Sequence, residues 1–229
     1  MTIYLRCIFI YLFFIPIEQH AQKVFNDAGM WNTLSVKHKL NKKFAVIITE
    51  EFRLKENHSQ VNLTYSEIAL EYSYKKFLKT SLVYRNIQKH QYQGPTSFRN
   101  RLQWDISVKK SFSKFALSYR HRLQGEVKDL LTSENGHYIE WFSRHKVGLK
   151  YDLNEKWTTN VSAEYRLQLE DPRSPEYNYG FHRQRYQLGL NYKINSKQDF
   201  GIYYLYQNEF TIQKLTDIYI LGIEYSIEI

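Results

Sequence analysis

Arginines and acidic residues recur at every second position along several segments of this 229-residue chain. Side chains two residues apart share one face of a β-strand, so Arg99 and Arg101, or Arg183 and Arg185, would point the same way. A guanidinium group binds a carboxylate or another anion through paired hydrogen bonds. The chemistry open to this face is therefore the pairing of fixed charges with one another or the binding of an anionic solute.

The candidate set follows from assigning each charged side chain to the polar face of its segment. The arginines on that face are Arg53, Arg85, Arg99, Arg101, Arg120, Arg122, Arg144, Arg166, Arg183 and Arg185. The acidic residues that share it are Glu51, Glu67, Glu71, Asp105, Glu164, Glu209 and Glu224.

Histidine and serine could together support acyl transfer, which needs a nucleophile beside a general base. His58 and Ser59 are adjacent in a predicted loop and would point apart, so they make a poor pair. His121 and His145 occupy outward positions on predicted strands, where packing is the expected role. No His-x-Ser sequence, which would place both groups on one strand face, occurs in the chain. We therefore expect no catalytic residues.

The segments that carry these residues have a period of two, which predicts β-strands rather than helices. Each is 11 to 13 residues long, whereas soluble strands run to about 5 or 6 residues and tilted transmembrane strands need about 9 to 11. The eleven segments are Met30–Leu40, Phe44–Lys55, Leu63–Tyr74, Leu78–Lys89, Phe98–Lys109, Phe115–Glu126, Ile139–Tyr151, Trp157–Leu169, Arg183–Ile194, Phe200–Phe210 and Asp217–Ile229.

Short and long connections alternate between these segments, and Pro95, Pro172 and Pro175 all fall in long ones. Outer-membrane barrels have this arrangement, with the short turns on the periplasmic side. A sheet in a bilayer must close, because hydrocarbon offers its edges no hydrogen-bond partners. We predict an all-β, transmembrane, antiparallel up-and-down β-barrel of about 12 strands, with Lys23–Gly29 as a short first strand and ten strands as the alternative.

The N-terminus predicts export. Arg6 precedes an apolar run from Cys7 to Ile17, and Ala21 follows at a cleavable position, which is typical of a signal peptide. We predict a signal peptide at residues 1–21 and a single barrel domain at residues 22–229, located in the outer membrane of a Gram-negative bacterium. Cleavage would remove Cys7, the only cysteine, and with it all thiol chemistry.

Several short pieces of the sequence carry a resemblance to a known family. They are Gly29-Met30-Trp31, Leu40-Asn41-Lys42, Glu50-Glu51-Phe52-Arg53, Tyr84-Arg85, Arg99 to Leu102, Tyr119 to Arg122 and Arg183 to Tyr186. In this order they resemble the uncharacterised outer-membrane barrel family catalogued as domain of unknown function 2490. The resemblance implies a barrel fold and an outer-membrane location over the whole mature chain. It implies no activity.

Partners are predicted from charge and location. The net charge of +9 would suit nucleic acid, but the lysines cluster in the short connections, where anionic lipid headgroups would attract them. We expect outer-membrane lipids as partners, with the barrel-assembly machinery during insertion, and no nucleic acid. No two histidines have the four-residue spacing of helical metal ligands, so we expect no metal and no cofactor.

Three interpretations of function stay open for such a barrel. In the first, which we expect, arginines and carboxylates such as Arg101 and Asp105 pair across the lumen and nearly close it, because unpaired enclosed charges would repel one another. In the second, the basic face makes a narrow pore that favours anions. The third is a barrel enzyme that modifies lipids.

Overall fold

The computed structural model describes residues 25–90, 94–128, 138–170, 180–209 and 216–229. The predicted signal peptide at residues 1–21 lies outside the described residues, as do the prolines at 172 and 175. Within these ranges the chain is all β-structure, and no helix is long and apolar enough to cross a membrane.

Eleven strands make up the described part of the chain. They are β1 (Phe25–Lys39), β2 (Phe44–Lys55), β3 (Gln60–Lys75), β4 (Leu78–Lys89), β5 (Ser97–Phe112), β6 (Phe115–Lys128), β7 (Ile139–Asp152), β8 (Trp157–Glu170), β9 (Gly180–Lys193), β10 (Gln198–Glu209) and β11 (Thr216–Glu228). Each pairs with its sequence neighbours in antiparallel fashion, and β1 pairs with β11 to close a barrel. The predicted fold class is confirmed.

Barrel closure differs from the expectation in strand number. Residues 25–29 do not form a separate first strand; they begin β1, which runs without a break to Lys39. β1 then pairs in parallel with β11, from Phe25 opposite Thr216 to Lys37 opposite Glu228. An odd number of hairpin-connected strands leaves the first and last running in the same direction. Parallel closure therefore gives eleven strands, in place of the predicted twelve or the alternative ten.

Short turns join consecutive strands at one end of the barrel, the turn side, at residues 40–43, 76–77, 113–114, 153–156 and 194–197. Three of these turns are stabilised by an asparagine side chain. Asn41 Oδ1 accepts hydrogen bonds from the backbone N–H groups of Lys43 and Phe44 at 2.8 and 2.9 Å, and Asn154 and Asn195 bond their own turns similarly. The asparagine side chain satisfies amides that the ladder leaves unpaired. The opposite end is the loop side.

Apolar side chains cover the outer surface of the barrel. Leu102 is 55% exposed and Leu188 is 58% exposed, which is unusual for a protein surrounded by water. Near the turn side, aromatic rings pair across neighbouring strands, with Phe44 and Tyr72 rings 4.9 Å apart, and Trp157 and Tyr192 rings 4.7 Å apart. Such rows mark the interfacial girdles of membrane barrels.

The alternate side chains fill the interior. Trp31, Tyr203, Leu205 and Ile220 pack together on the inner faces of β1, β10 and β11. Gly222 makes this possible, because a Cβ atom there would lie 1.9 Å from the Tyr203 ring. The remaining interior on the loop side is lined mostly by long charged and polar side chains.

Candidate functional site

A chamber of about 950 Å³ lies inside the loop-side half of the barrel. All ten arginines of the candidate set line it, together with Glu51, Glu67 and Glu164. Glu71 lies nearer the turn side, where Lys37 and Lys79 donate hydrogen bonds to it at 2.7 and 2.9 Å.

Arg122 and Asp105 form a bidentate pair in the chamber wall. Arg122 Nε and Nη2 donate to the two carboxylate oxygens of Asp105, each at 2.6 Å, and Nη1 donates to Gln103 at 2.7 Å. Both charged side chains are at least nine-tenths buried. Planar groups that match in this way fix each other's orientation.

The predicted pairing of Arg101 with Asp105 is wrong. Arg101 donates to Glu126 at 2.8 and 2.5 Å, and Asp105 pairs with Arg122. Residues four apart on a strand are separated by about 13 Å, whereas Asp105 stands directly opposite Arg122, and Arg101 opposite Glu126. The register between β5 and β6 therefore determines which arginine pairs with which carboxylate.

Glu164 receives three guanidinium groups. Arg144, Arg120 and Arg185 lie 2.5, 2.7 and 3.4 Å from its carboxylate oxygens. One negative charge thus faces three positive ones, and the local balance stays basic.

A second cluster joins charges to aromatic rings at the level of Trp31. Glu51 accepts hydrogen bonds from Arg53 and, at 2.8 Å, from the Tyr65 hydroxyl. The Arg53 guanidinium lies 3.6 Å from the Trp31 ring centre, and that of Arg85 lies 3.7 Å from the Tyr65 ring centre. Cation–π contacts of this kind hold arginines flat against the wall.

The remaining candidate arginines are also held in place. Arg85 contacts Glu67 at 2.5 Å, and Arg99 contacts Glu126 at 3.1 Å. Arg183 pairs with Glu209. The Arg166 guanidinium lies over the Phe142 ring, 4.4 Å from its centre.

The lining as a whole is basic. Among the described residues, fourteen Lys and Arg side chains line the chamber, against eight Asp and Glu side chains. Asp105 adds one further carboxylate in the wall beside Arg122. An enclosed space with this excess attracts anions and repels cations.

The chain matches the family described as "Protein of unknown function (DUF2490)" over residues 28–217. The chain belongs to the DUF2490 family. The resemblance seen in the sequence is thereby confirmed. Among solved structures, the barrel is similar to that entitled "NanC porin structure in rhombohedral crystal form", with 12% identity, a TM-score of 0.48, and coverage of 79% of this chain and 85% of that chain. No curated protein matches the sequence.

Three carboxylates that line the chamber of this DUF2490 barrel, Asp27, Glu126 and Glu140, are not in the candidate set. Glu126 binds Arg99 and Arg101, and Glu140 lies 2.8 Å from Lys128. Both share the strand phase of their arginine neighbours, so extending the alternation to the strand ends would have found them. In the described ranges, no three His, Cys, Asp or Glu residues are grouped to hold a metal ion.

The histidine candidates fall into two groups. His58 sits in a loop-side turn with φ of 67°, and the Ser59 hydroxyl donates to the Glu56 carbonyl. His145 faces outward, and its Nε2 lies 3.1 Å from Ser143 Oγ. This pair has the order Ser-x-His, the reverse of the His-x-Ser spacing that is absent from the sequence.

Proposed function

We propose that this DUF2490 protein is a bacterial outer-membrane barrel whose lumen forms a narrow passage that favours anions. The membrane location is supported by the apolar outer surface and the aromatic rows near the turn side, which suit a bilayer rather than water. Its immediate partners would be outer-membrane lipids and, during insertion, the barrel-assembly machinery.

The observation that carries the anion preference is the basic lining of the chamber. Fourteen cationic side chains face eight acidic ones around about 950 Å³. Lys146 adds positive charge beside a neutral partner, since it donates to Gln187 at 3.4 Å. A small anion entering here would exchange part of its hydration for guanidinium and ammonium contacts, whereas a cation would meet repulsion.

A second space toward the turn side supports a passage rather than a closed cup. A second space of about 220 Å³ is lined largely by small polar side chains, among them Thr33, Ser35 and Asn191. Glu224 lines both spaces. Trp31, Arg53 and Tyr203 line the first space, and Thr33, the next inner residue after Trp31, lines the second. We therefore expect the passage to narrow at this layer and to carry only a small current.

Solute entry into proteoliposomes tests this proposal. Liposomes that contain the purified barrel should swell faster in a small anionic solute than in a neutral or cationic solute of equal size. Equal entry of the anion and the cation, with swelling above that of protein-free liposomes, would contradict the anion preference.

The second candidate is the nearly closed barrel that the sequence favoured. The bidentate Arg122–Asp105 pair and the three arginines on Glu164 support it, because fixed pairs occupy lumen volume. Under this candidate no solute enters until a pair is removed, for example by Glu126→Gln. Solute entry into liposomes that contain the unmodified protein would favour the passage over the nearly closed barrel.

A further inference from the structure

We propose that Ser143 and His145 form an acyl-transfer site on the outer surface of the barrel, which cleaves a fatty acyl ester of a membrane lipid. This activity goes beyond passage through the lumen, because both side chains point away from the chamber. It shares with the proposed function only the membrane location.

The geometry supplies a nucleophile, a base and a group that orients the base. Ser143 Oγ lies 3.1 Å from His145 Nε2, and the Tyr119 hydroxyl lies 2.8 Å from His145 Nδ1. With Nδ1–H donating to the tyrosine oxygen, the Nε2 lone pair is left to accept the serine proton. Nucleophile, base and orienting group within hydrogen-bond reach are the signature of an activated serine.

The surroundings of the pair favour this chemistry. Ser143 is only 7% exposed, so bulk water is largely kept from its hydroxyl and polar contacts there are strengthened. The His121 ring lies 4.8 Å from that of His145, and it can offer an N–H group to a developing oxyanion. Ionisable groups on a bilayer-facing surface are costly and usually functional.

A groove beside the pair identifies the substrate class. It is a shallow, open depression of about 520 Å³ on the outer surface across β7 to β10, and its lining includes Val147, Ala163 and Leu188. Val147, the next outward residue after His145 on β7, lines the groove, so the groove lies beside the pair on its turn side. A bilayer-facing apolar groove is filled by an acyl chain, which would bring the ester carbonyl near Ser143.

The reaction balances without a cofactor. Ser143 Oγ attacks the ester carbonyl carbon while His145 Nε2 takes the hydroxyl proton. The carbon–oxygen bond to the lipid alcohol then breaks, and the alcohol leaves with that proton. Water attacks the acyl-serine ester, giving its proton through His145 to Ser143 Oγ as the fatty acid departs.

Labelling of the unmodified protein is the first test. A fluorophosphonate probe should attach to Ser143, located by mass spectrometry of the purified folded barrel. Fatty acid should be released from vesicles of phosphatidylethanolamine and phosphatidylglycerol, or from vesicles that contain lipopolysaccharide, and the two arms identify which lipid supplies the ester. Folded protein that is unlabelled and releases fatty acid from neither vesicle type overturns the proposal.

Matched variants assign the roles. Ser143→Ala and His145→Gln should each lower release by on the order of 10³-fold or more, whereas Ser66→Ala, an outward serine bonded to Glu50, should leave it unchanged. Tyr119 is a positioning residue, so Tyr119→Phe should lower kcat about tenfold with KM unchanged and shift the acid limb of the pH–rate profile. Undiminished release by Ser143→Ala overturns the assignment.

Solute entry by Ser143→Ala should equal that of the unmodified protein, so loss of one activity is distinguishable from loss of the other.

Discussion

Arg122 shows how a charged residue is stabilised inside this barrel. Its guanidinium donates to both oxygens of Asp105 and to Gln103, so three of its five N–H groups bond to acceptors on β5. Removing one partner of such a pair leaves a buried charge without compensation. Breaking one of these pairs is therefore expected to cost more stability than the intact pair contributes.

Asp105→Asn tests this at the residue scale. The substitution keeps the shape of the side chain but removes the charge that balances Arg122, and we expect the free energy of unfolding to fall by about 3–5 kcal/mol. Denaturant unfolding of the barrel in detergent or lipid measures it. Glu228→Gln is the control, since Glu228 pairs with Lys39 at the exposed end of β11 and should cost less than about 1 kcal/mol. Equal losses would contradict the account.

The charged face of the barrel can be predicted from the sequence, but the pairs that form on it cannot. Alternation alone places Arg101, Asp105 and Arg122 on one side, because the period of a strand is two. Which carboxylate meets which arginine depends on the register between strands. Register is set by turn geometry and side-chain packing, and the sequence of a single strand does not specify it. The two-residue spacing of Ser143 and His145 places them on one strand face and so predicts their contact, provided that the order Ser-x-His is considered as well as His-x-Ser.

At the scale of the strand, the face on which a residue lies determines how well the barrel tolerates a charge at that position. Ile106 points outward and Ser107 inward on β5, next to each other in the chain. We expect Ile106→Arg to lower the free energy of unfolding by on the order of 2–4 kcal/mol, because the arginine would face the bilayer near its centre. Ser107→Arg should cost far less, because its arginine would face the polar lumen. Reversible unfolding in vesicles compares them. Equal costs would show that the assigned faces are wrong.

Parallel closure by β1 and β11 is the other claim at this scale. Ser35 stands opposite Ser226 in that pairing, so Ser35→Cys with Ser226→Cys should form a disulfide under mild oxidation. Ser35→Cys with Thr216→Cys is the control and should not, because Thr216 pairs with Phe25 at the far end of the strands. A barrel closed by an additional strand between β1 and β11 would give no cross-link in either variant.

The sequence could predict the strands but not how the barrel closes. Segment Trp157–Leu169 differs by one residue from β8, because alternation and the flanking turn mark its limits. The even-number rule for bacterial barrels predicts an additional first strand. Parallel pairing of β1 with β11 makes that rule unnecessary here, and nothing local in residues 25–29 signals which neighbour they will have.

For the whole molecule, the basic excess of the lumen predicts how single charges change selectivity. Lys146 lines the chamber and donates to the neutral Gln187, so Lys146→Gln removes one positive charge without breaking an ion pair described for that residue. We expect a weaker anion preference with the fold retained. Lys76→Gln, in the exposed turn at residues 76–77, is the matched control and should leave the preference unchanged, since its charge lies outside the chamber. Measurements of reversal potential in planar bilayers would compare the two.

The most direct test is the reversal potential of the unmodified barrel under a gradient of potassium chloride. A lumen with this basic excess should pass a small current whose reversal potential lies toward the chloride equilibrium potential. The preference should weaken as salt rises, because charges are screened over about 10 Å at 0.1 M. A current selective for potassium, or no current from protein shown to be inserted, would contradict the anion-favouring passage.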